Sequence, residues 1–356
     1  MIYVTKSFLP DIKEYFAQLE KIWESGQLTN DGPLVSMLER RIAEYLEVEN
    51  FFYVSNGTIA LQIAIKALNL TGDIITTPFS YCATTHALIW EKCNPIFADI
   101  SANSLTCEVD EINKVLTPQS RGILTTHVYG NSGNLADQEK LAAENNIPLI
   151  YDGAHAFDVK HKGKSIFTYG TVSTCSFHAT KIFHTIEGGA IITKDAKIAE
   201  KIRGLRSFGH RGDDYFDVGI NGKNSEFHAA MGLVNLDHFP KIKAHRKDVS
   251  EVYESLLSEK ISLIQWNKDN TRNYSYFPVL FDSEDVLLKV LQHLNEANIF
   301  PRRYFYPALN ELPYLSHQSC PIAEDVAKRV ACLPLSAEID LEDVRQIVAI
   351  INNALV

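Results

Sequence analysis

The sequence lacks the features that mark several classes of protein. Its 356 residues contain no block of clustered Lys and Arg, and the net charge of −10 disfavours nucleic-acid binding, which depends on such clusters. No run of about twenty apolar residues indicates a transmembrane helix. The first segment mixes charged with apolar positions, unlike a signal peptide. We therefore expect a cytoplasmic protein that binds neither nucleic acid nor membrane.

Motifs of disulfide, zinc and dinucleotide sites are also missing. The six cysteines, at positions 82, 93, 107, 175, 320 and 332, include no C-x-x-C pair. This scatter predicts reduced, mostly buried thiols, and no metal site is predicted. A G-x-G-x-x-G turn does not follow an early strand, which disfavours a dinucleotide-dependent α/β enzyme.

Short apolar runs alternate with amphipathic segments between about residues 50 and 192. This alternation is typical of βαβ units and predicts an α/β fold with a mostly parallel sheet. The carboxyl ends of such strands share one edge, where ligands bind. Buried strands are predicted at 73–77, 94–98, 122–127, 148–151, 172–177 and 190–193, with crossover helices at 59–70 and 135–145.

The hydrophobic pattern of the sequence changes after a long helical segment predicted over residues 225–257. Segments 261–281, 286–298, 326–333 and 341–355 then suggest a small α+β domain. We predict a large domain over residues 1–245 and a small domain over 246–356, with the boundary inside the long helix.

Three polar segments stand at predicted strand ends. Lys181 follows a buried strand in the run SFHATK, where desolvation would make it a nucleophile for an aldehyde, although most such lysines are solvated loop residues. Asp152 ends another strand and can pair with a protonated pyridine nitrogen, or else serve metal or ribose binding. Gly57 and Thr58 precede a helix and suit a phosphate seat or a plain helix cap. Together, the three segments could bind three different parts of one cofactor.

These segments resemble the DegT/DnrJ/EryC1/StrS family of sugar aminotransferases. The similarity extends across most of the chain, through GQLTNDGP (26–33), TPFSYCAT (77–84), FAD (97–99), HVYG (127–130), the Asp152 and Lys181 segments and NGKNSE (221–226). The resemblance implies an aspartate-aminotransferase-like (type I) fold and pyridoxal 5'-phosphate (PLP) as cofactor. It also implies a homodimer with shared active sites.

The resemblance assigns roles to matching positions. Lys181 is similar to the lysine that binds PLP as a Schiff base and carries the proton, and Asp152 to the partner of the pyridine nitrogen. The remaining cofactor contacts that it implies are Gly57, Thr58 and Ser176 for the phosphate, Tyr81 for the ring face, His155 for the ring oxygen, and Asn221 from the neighbouring subunit. Other interpretations of Tyr81 and His155 are a buried strand aromatic and a core histidine.

The implied reaction moves an amino group onto a nucleotide-linked keto-6-deoxyhexose, with glutamate as the expected donor. The opening segments look like members that make 4-amino-4,6-dideoxy sugars, so dTDP-4-keto-6-deoxyglucose is the expected substrate, for O-antigen or other glycan biosynthesis. Candidate substrate contacts are Thr29, Asn30, His178, Glu187 and Lys223, with Arg302 and Arg303 as either further positive charge or a solvated surface pair.

Two departures from the family pattern stand out. Ile186 replaces the usual Gly before Glu187, and Lys223 replaces a common Arg, which exchanges a planar bidentate donor for a point charge. The aminated carbon (C4 or C3), the nucleotide and the choice of glutamate or glutamine stay open. So do a PLP-dependent sugar dehydratase, whose members carry His where Lys181 stands, and a non-enzymic PLP-binding protein.

Overall fold

The computed structural model describes residues 1–355, and a seven-stranded sheet forms its centre. The strands are β1 (Ile2–Tyr3), β2 (Asn50–Val54), β3 (Gly72–Thr76), β4 (Cys93–Phe97), β5 (Ser120–Thr126), β6 (Leu149–Asp152), β7 (Lys160–His161), β8 (Lys164–Ser165), β9 (Val172–Ser176), β10 (Gly189–Thr193), β11 (His210–Arg211), β12 (Asp214–Tyr215), β13 (Ser262–Leu263), β14 (Phe277–Leu280), β15 (Ile299–Phe300) and β16 (Val330–Leu333). The helices are α1 (Ile12–Ser25), α2 (Pro33–Leu46), α3 (Gly57–Ala67), α4 (Ala83–Trp90), α5 (Val109–Val115), α6 (Leu135–Glu144), α7 (Ala196–Leu205), α8 (Glu226–Leu256), α9 (Glu284–Glu296), α10 (Pro321–Arg329) and α11 (Leu341–Ala354).

The central sheet has the strand order β2-β10-β9-β6-β5-β3-β4. Strand β10 is antiparallel to both of its neighbours, and every other adjacent pair is parallel. Six strands therefore end at the same edge. The predicted mostly parallel sheet is confirmed, and each of the six predicted strands is present with bounds shifted by no more than two residues, the largest shift being at the start of β5.

Helices cover both faces of the sheet. Helix α3 is apolar on nearly every side because it lies between the sheet and the neighbouring helices α4 and α7. Helices α2 and α8 pack together on the opposite face over a core that includes Phe177, Phe183 and Phe239. Since both faces are buried, the strands read as nearly continuous apolar runs, which explains why they were recognisable in the sequence.

The C-terminal region has its own small antiparallel sheet, ordered β13-β14-β16, and its own core with α9 and α11. The predicted small α+β unit is present. Its boundary at residue 245 stays a prediction, because α8 runs through that position as one helix. Strand β1 pairs in parallel with β15, so the first residues of the chain associate with the C-terminal region.

The cysteines and the helices can be compared with the expectations from composition. All six thiols are free, and five of them are buried while Cys82 is partly exposed, which confirms the prediction for the cysteines. No helix within residues 1–355 combines the length and apolar character needed to cross a membrane.

Candidate active site

A cavity of about 540 Å³ opens at the carboxyl edge of the central sheet. Residues that follow β2, β3, β6 and β9 line it, together with aromatic residues from the C-terminal region. It brings together nine of the predicted site residues: Gly57, Thr58, Tyr81, Asp152, His155, Ser176, His178, Lys181 and Glu187.

The start of α3 forms one end of the cavity. Asn56 caps the helix, because its side-chain oxygen accepts the N–H of Ile59 at 2.9 Å. Gly57 and Thr58 lie in the first turn, whose N–H groups have no acceptor in their own helix and favour an anion. A Cβ atom on Gly57 would lie 2.9 Å from Cβ of Ser176, so glycine allows the helix to approach the end of β9. The helix cap is therefore present, and the anion seat stays a prediction that this geometry allows.

Asp152 is the last residue of β6, and its carboxylate is almost completely buried. One carboxylate oxygen accepts the hydroxyl of Thr84 at 2.7 Å, and the other accepts the N–H of Ala154 at 3.1 Å. Burial raises the pKa of Asp152, while these two hydrogen bonds and the charge of Lys181 oppose the rise. Each oxygen keeps a free lone pair for a cationic partner.

Thr84 is itself part of a chain of hydroxyl groups. Thr126 donates to Ser80 at 3.1 Å, Ser80 and Thr84 are 2.8 Å apart, and Thr84 donates to Asp152. Because Thr84 has one hydroxyl proton and donates it to Asp152, Ser80 donates to Thr84, and the chain runs from Thr126 to Asp152. The sequence prediction did not assign Thr84 a role, although it belongs to the TPFSYCAT segment.

Lys181 lies in the turn that follows β9. Its backbone N–H donates to the carbonyl of His178 at 2.8 Å, and its amine is 3.4 Å from the hydroxyl of Tyr276. Burial lowers the pKa of Lys181, and the carboxylate of Asp152 partly restores it. A larger neutral fraction makes the amine a better nucleophile. The side chain therefore does not lie in a solvated loop.

His155 is held as a neutral ring with a defined proton position. Its Nδ1 atom accepts the backbone N–H of Tyr129 at 3.1 Å, so the ring proton must be on Nε2. Burial lowers the pKa of His155 well below its ordinary value. The ring stacks on Phe305, with centroids 5.6 Å apart. His155 is thus a core residue that also offers the cavity a hydrogen-bond donor.

Three predicted residues form the mouth of the cavity. Tyr81 is 59% exposed in the loop before α4, with its ring 6.4 Å from that of Phe305, so the interpretation as a buried strand aromatic is wrong. The Nε2 atom of His178 lies 3.5 Å from the carboxylate of Glu187. Because the Tyr81 side chain is exposed and lines the cavity, its ring is available to cover a bound planar molecule.

In the loop that carries Glu187, position 186 has a backbone conformation that favours glycine. Ile186 has a φ of 67°, in the left-handed region that is unfavourable for a β-branched residue. Its N–H donates to Nδ1 of His184 at 3.2 Å, which helps to hold this conformation. Ile186 therefore adopts the left-handed conformation that a glycine at this position would adopt at lower cost.

Several predicted residues do not line the cavity of their own chain. Asn221 is exposed and forms an isolated β-bridge with Ser207. The amine of Lys223 lies 5.0 Å from the ring centroid of Phe208. Thr29 and Asn30 occupy an exposed turn, where their carbonyls accept hydrogen bonds from Gln27.

The two arginines of segment 302–303 also lie outside the cavity lining. Arg303 forms an ion pair with Glu284 at 2.6 Å and lies 3.6 Å from the ring centroid of Tyr306. Arg302 lies 5.5 Å from the ring centroid of Tyr304, which does line the cavity. Arg303 therefore forms its contacts outside the cavity, and Arg302 lies next to a ring that lines it.

The C-terminal wall of the cavity was absent from the sequence prediction. Tyr276, Tyr304 and Phe305 form it, and they lie on segments that no recognised motif covers. The three aromatic residues of the segment YSYF (274–277) were the available signal, but aromatic residues before a strand are more often part of a core. Only their approach to the sheet edge identifies them as cavity residues.

The lining residues fit PLP in each of its parts. The start of α3 and Ser176 suit the phosphate, and Asp152 suits a protonated pyridine nitrogen. The Nε2 proton of His155 suits the ring oxygen, and the amine of Lys181 suits the aldehyde. These are four separate chemical matches around one cavity.

Comparison with known proteins agrees with this geometry. The profile of the DegT/DnrJ/EryC1/StrS aminotransferase family matches residues 10–352. The chain is 37% identical over 360 residues to the dTDP-4-amino-4,6-dideoxy-D-glucose transaminase of Shigella dysenteriae, covering 99% of this chain and 98% of that one. It is 37% identical over 361 residues to the transaminase of the same name from Escherichia coli, with coverage of 97% and 96%.

A solved structure extends the comparison to the fold. DesI, crystallised in the presence of its TDP-sugar product, matches with a TM-score of 0.94 and 30% sequence identity, covering 99% of this chain and 92% of that one. The predicted family, fold class, enzyme class and cofactor are confirmed. This chain belongs to the DegT/DnrJ/EryC1/StrS aminotransferase family and is a PLP-dependent aminotransferase.

Proposed function

We propose that the enzyme transfers an amino group from glutamate to C4 of dTDP-4-keto-6-deoxyglucose, for O-antigen or other glycan biosynthesis. The product is the dTDP-linked 4-amino-4,6-dideoxyglucose. The observation that carries the proposal is the alignment, over almost the whole chain, with two transaminases named for this product. The cavity supports it, because Lys181 and Asp152 line the same space.

The chain's residues divide the task of holding the cofactor. When bound, PLP supplies an aldehyde that exchanges amino groups and a ring that withdraws electrons. The first-turn N–H groups of Gly57 and Thr58 and the hydroxyl of Ser176 would bind its phosphate. Asp152 would keep the ring nitrogen protonated, Nε2 of His155 would donate to the ring oxygen, and Tyr81 would cover a ring face.

Lys181 is the side chain of the protein that takes part directly in the reaction. Its neutral amine would hold the aldehyde carbon of PLP, with loss of water, and once released Nζ would carry a proton to the carbon that receives the amino group. Burial of the amine supports this role, because it favours the neutral form. His178 and Glu187 line the cavity, which supports a role for them in contacting the sugar nucleotide.

We also propose a homodimer in which Asn221 completes the cavity of the neighbouring subunit. Asn221 is exposed and outside its own cavity lining. The preceding segment exposes several large apolar side chains, which are Phe208, Tyr215, Phe216, Val218 and Ile220. Burial of such a patch favours association. Lys223, Thr29 and Asn30 would then contact the partner's substrate, and the free thiols support a reducing, cytoplasmic location.

The reaction is tested with the purified, PLP-loaded protein. Glutamate should change the visible absorbance of the bound cofactor, and subsequent dTDP-4-keto-6-deoxyglucose should restore it and yield an aminated product by mass spectrometry. Glutamine, a 3-keto sugar and other nucleotides serve as comparisons. A spectrum that no amino donor changes would contradict the transaminase function. A deoxygenated product without nitrogen would instead indicate a dehydratase, which Lys181 disfavours.

The shared site is tested with mixed dimers. Lys181→Ala and Asn221→Ala proteins should each be inactive or strongly impaired as homodimers. In a dimer with one subunit of each kind, one site combines an intact Lys181 with the partner's intact asparagine. Activity should therefore return when the two proteins are mixed and refolded or coexpressed. Continued inactivity of verified mixed dimers would place Asn221 outside the neighbouring site.

A further inference from the structure

Tyr276 is the side chain that contacts the amine of Lys181. Its hydroxyl oxygen lies 3.4 Å from Nζ, and Nζ is 5.9 Å from the centre of the ring. The two residues are 95 positions apart in sequence, and Tyr276 immediately precedes β14 of the C-terminal sheet. The C-terminal region therefore supplies a direct contact to the lysine that ends β9.

The segment before β14 is anchored on the backbone next to His155. The side-chain amide of Asn273 donates to the carbonyls of His155 and Phe157, each at 2.8 Å. The hydroxyl of Ser275 donates to the same carbonyl of His155 at 2.9 Å. The ring of His155 meets that of Tyr276 edge to face, with centroids 4.8 Å apart. Tyr276 is thus fixed to the residue that faces the cofactor.

A buried arginine on α8 holds the same segment from the other side. The guanidinium of Arg246 donates to the carbonyls of Tyr274 at 2.8 Å and Ser275 at 2.6 Å. No carboxylate within residues 1–355 forms an ion pair with it, so this buried cation is matched by backbone carbonyls. Burying an arginine without an anion is costly, and here the guanidinium orders the two residues that precede Tyr276.

We propose that Tyr276 is a positioning residue for Lys181: its hydroxyl oxygen accepts one N–H of the free amine and directs the amine lone pair into the cavity. A lysine side chain has high rotational freedom, and this hydrogen bond selects one arrangement. Burial raises the pKa of Tyr276, so the phenol stays neutral and adds no charge. The inference rests on the proposed function, since it assigns a task to Tyr276 in the same reaction.

The test compares Tyr276→Phe with Tyr253→Phe and wild type. Tyr253 is a matched control, because it is fully buried, donates its hydroxyl to the carbonyl of Pro334 at 2.9 Å and does not line the cavity. Both variants lose one buried hydroxyl. We expect Tyr276→Phe to lower kcat about tenfold, as for loss of one hydrogen bond at a reacting group, with KM for the sugar nucleotide within about twofold. Tyr253→Phe should keep both values.

A second readout needs no substrate. The full-length protein, with its cofactor removed, is treated with acetic anhydride across pH, and acetylation of Lys181 is followed by mass spectrometry. Loss of the acceptor oxygen disfavours the ammonium form, so the midpoint should shift to lower pH in Tyr276→Phe and stay unchanged in Tyr253→Phe. An unchanged midpoint in Tyr276→Phe, or equal shifts in both variants, overturns the proposal.

A third variant covers the case in which Tyr276→Phe does not fold. Ser275→Ala keeps the Tyr276 hydroxyl but removes an anchor to His155, so it should lower kcat about threefold and shift the Lys181 midpoint in the same direction. An unchanged midpoint there also overturns the proposal. If wild type fails to react with glutamate and the dTDP-sugar, the proposed function is contradicted, whereas the acetylation profile still decides the role of Tyr276.

Discussion

Replacement of Thr84 by valine should weaken PLP binding through Asp152. Valine has the shape of threonine but cannot donate to the carboxylate oxygen that Thr84 contacts at 2.7 Å. That hydrogen bond favours the ionised form of Asp152, which burial already disfavours. Its loss must therefore raise the pKa of Asp152 further and weaken the pairing with a protonated ring nitrogen.

The size of the effect follows from the burial of the contact. A hydrogen bond to a charged group contributes about 1.5–3 kcal/mol, and solvent does not replace it here because both side chains are buried. The N–H of Ala154 still donates to the other oxygen, so we expect a loss near the lower limit. About 1.4 kcal/mol corresponds to a tenfold weaker Kd for PLP.

Thr85 provides the control for this experiment. It is the next residue on α4, is equally buried, and its hydroxyl has no hydrogen-bond partner within residues 1–355. PLP binding is measured by absorbance titration between pH 5 and 9. Thr84→Val should bind PLP about tenfold more weakly and lose affinity at a higher pH than wild type does, while Thr85→Val should match wild type. Equal Kd values and equal acid limits for Thr84→Val and wild type would refute the role assigned to Thr84.

Two further predictions concern a close contact and a buried histidine. Gly57→Ala places a Cβ atom 2.9 Å from Cβ of Ser176, so phosphate affinity should fall about tenfold or more, measured by PLP titration; unchanged affinity would exclude this seat. Burial lowers the pKa of His127 to about 3 from 6.5, and its Nε2 atom has no partner within the described residues. The unfolded chain therefore takes up a proton below pH 6.5 that the folded chain refuses until about pH 3, so wild-type stability declines across this window as pH falls. The difference in free energy of unfolding between His127→Phe and wild type, measured by urea unfolding, should therefore shift in favour of His127→Phe by about 2 kcal/mol between pH 8 and pH 5. An equal loss of stability in both proteins on acidification would contradict this.

The features that could be predicted from sequence are local ones. Buried parallel strands read as short apolar runs, and a polar residue at the carboxyl end of such a strand must lie at the ligand-binding edge. This reasoning placed Lys181, Asp152 and Gly57 in one cavity. It did not find helices α1, α2, α4, α5 and α7, whose local signals are less specific. It also missed the pairing of β1 with β15, because the two strands lie far apart in the chain.

The sequence by itself therefore determined the fold class, the family, and the placement of Lys181, Asp152 and Gly57 at one cavity. The tertiary structure decided which groups contact these residues and so shift their pKa values and orient their side chains. The donor to Asp152 comes from a residue 68 positions away, and the contact to Lys181 from one 95 positions away. It also put the ring proton of His155 on Nε2 and left Asn221 outside the cavity of its own chain. These properties depend on distance, burial and direction between residues that are remote in the chain, and no local pattern encodes them.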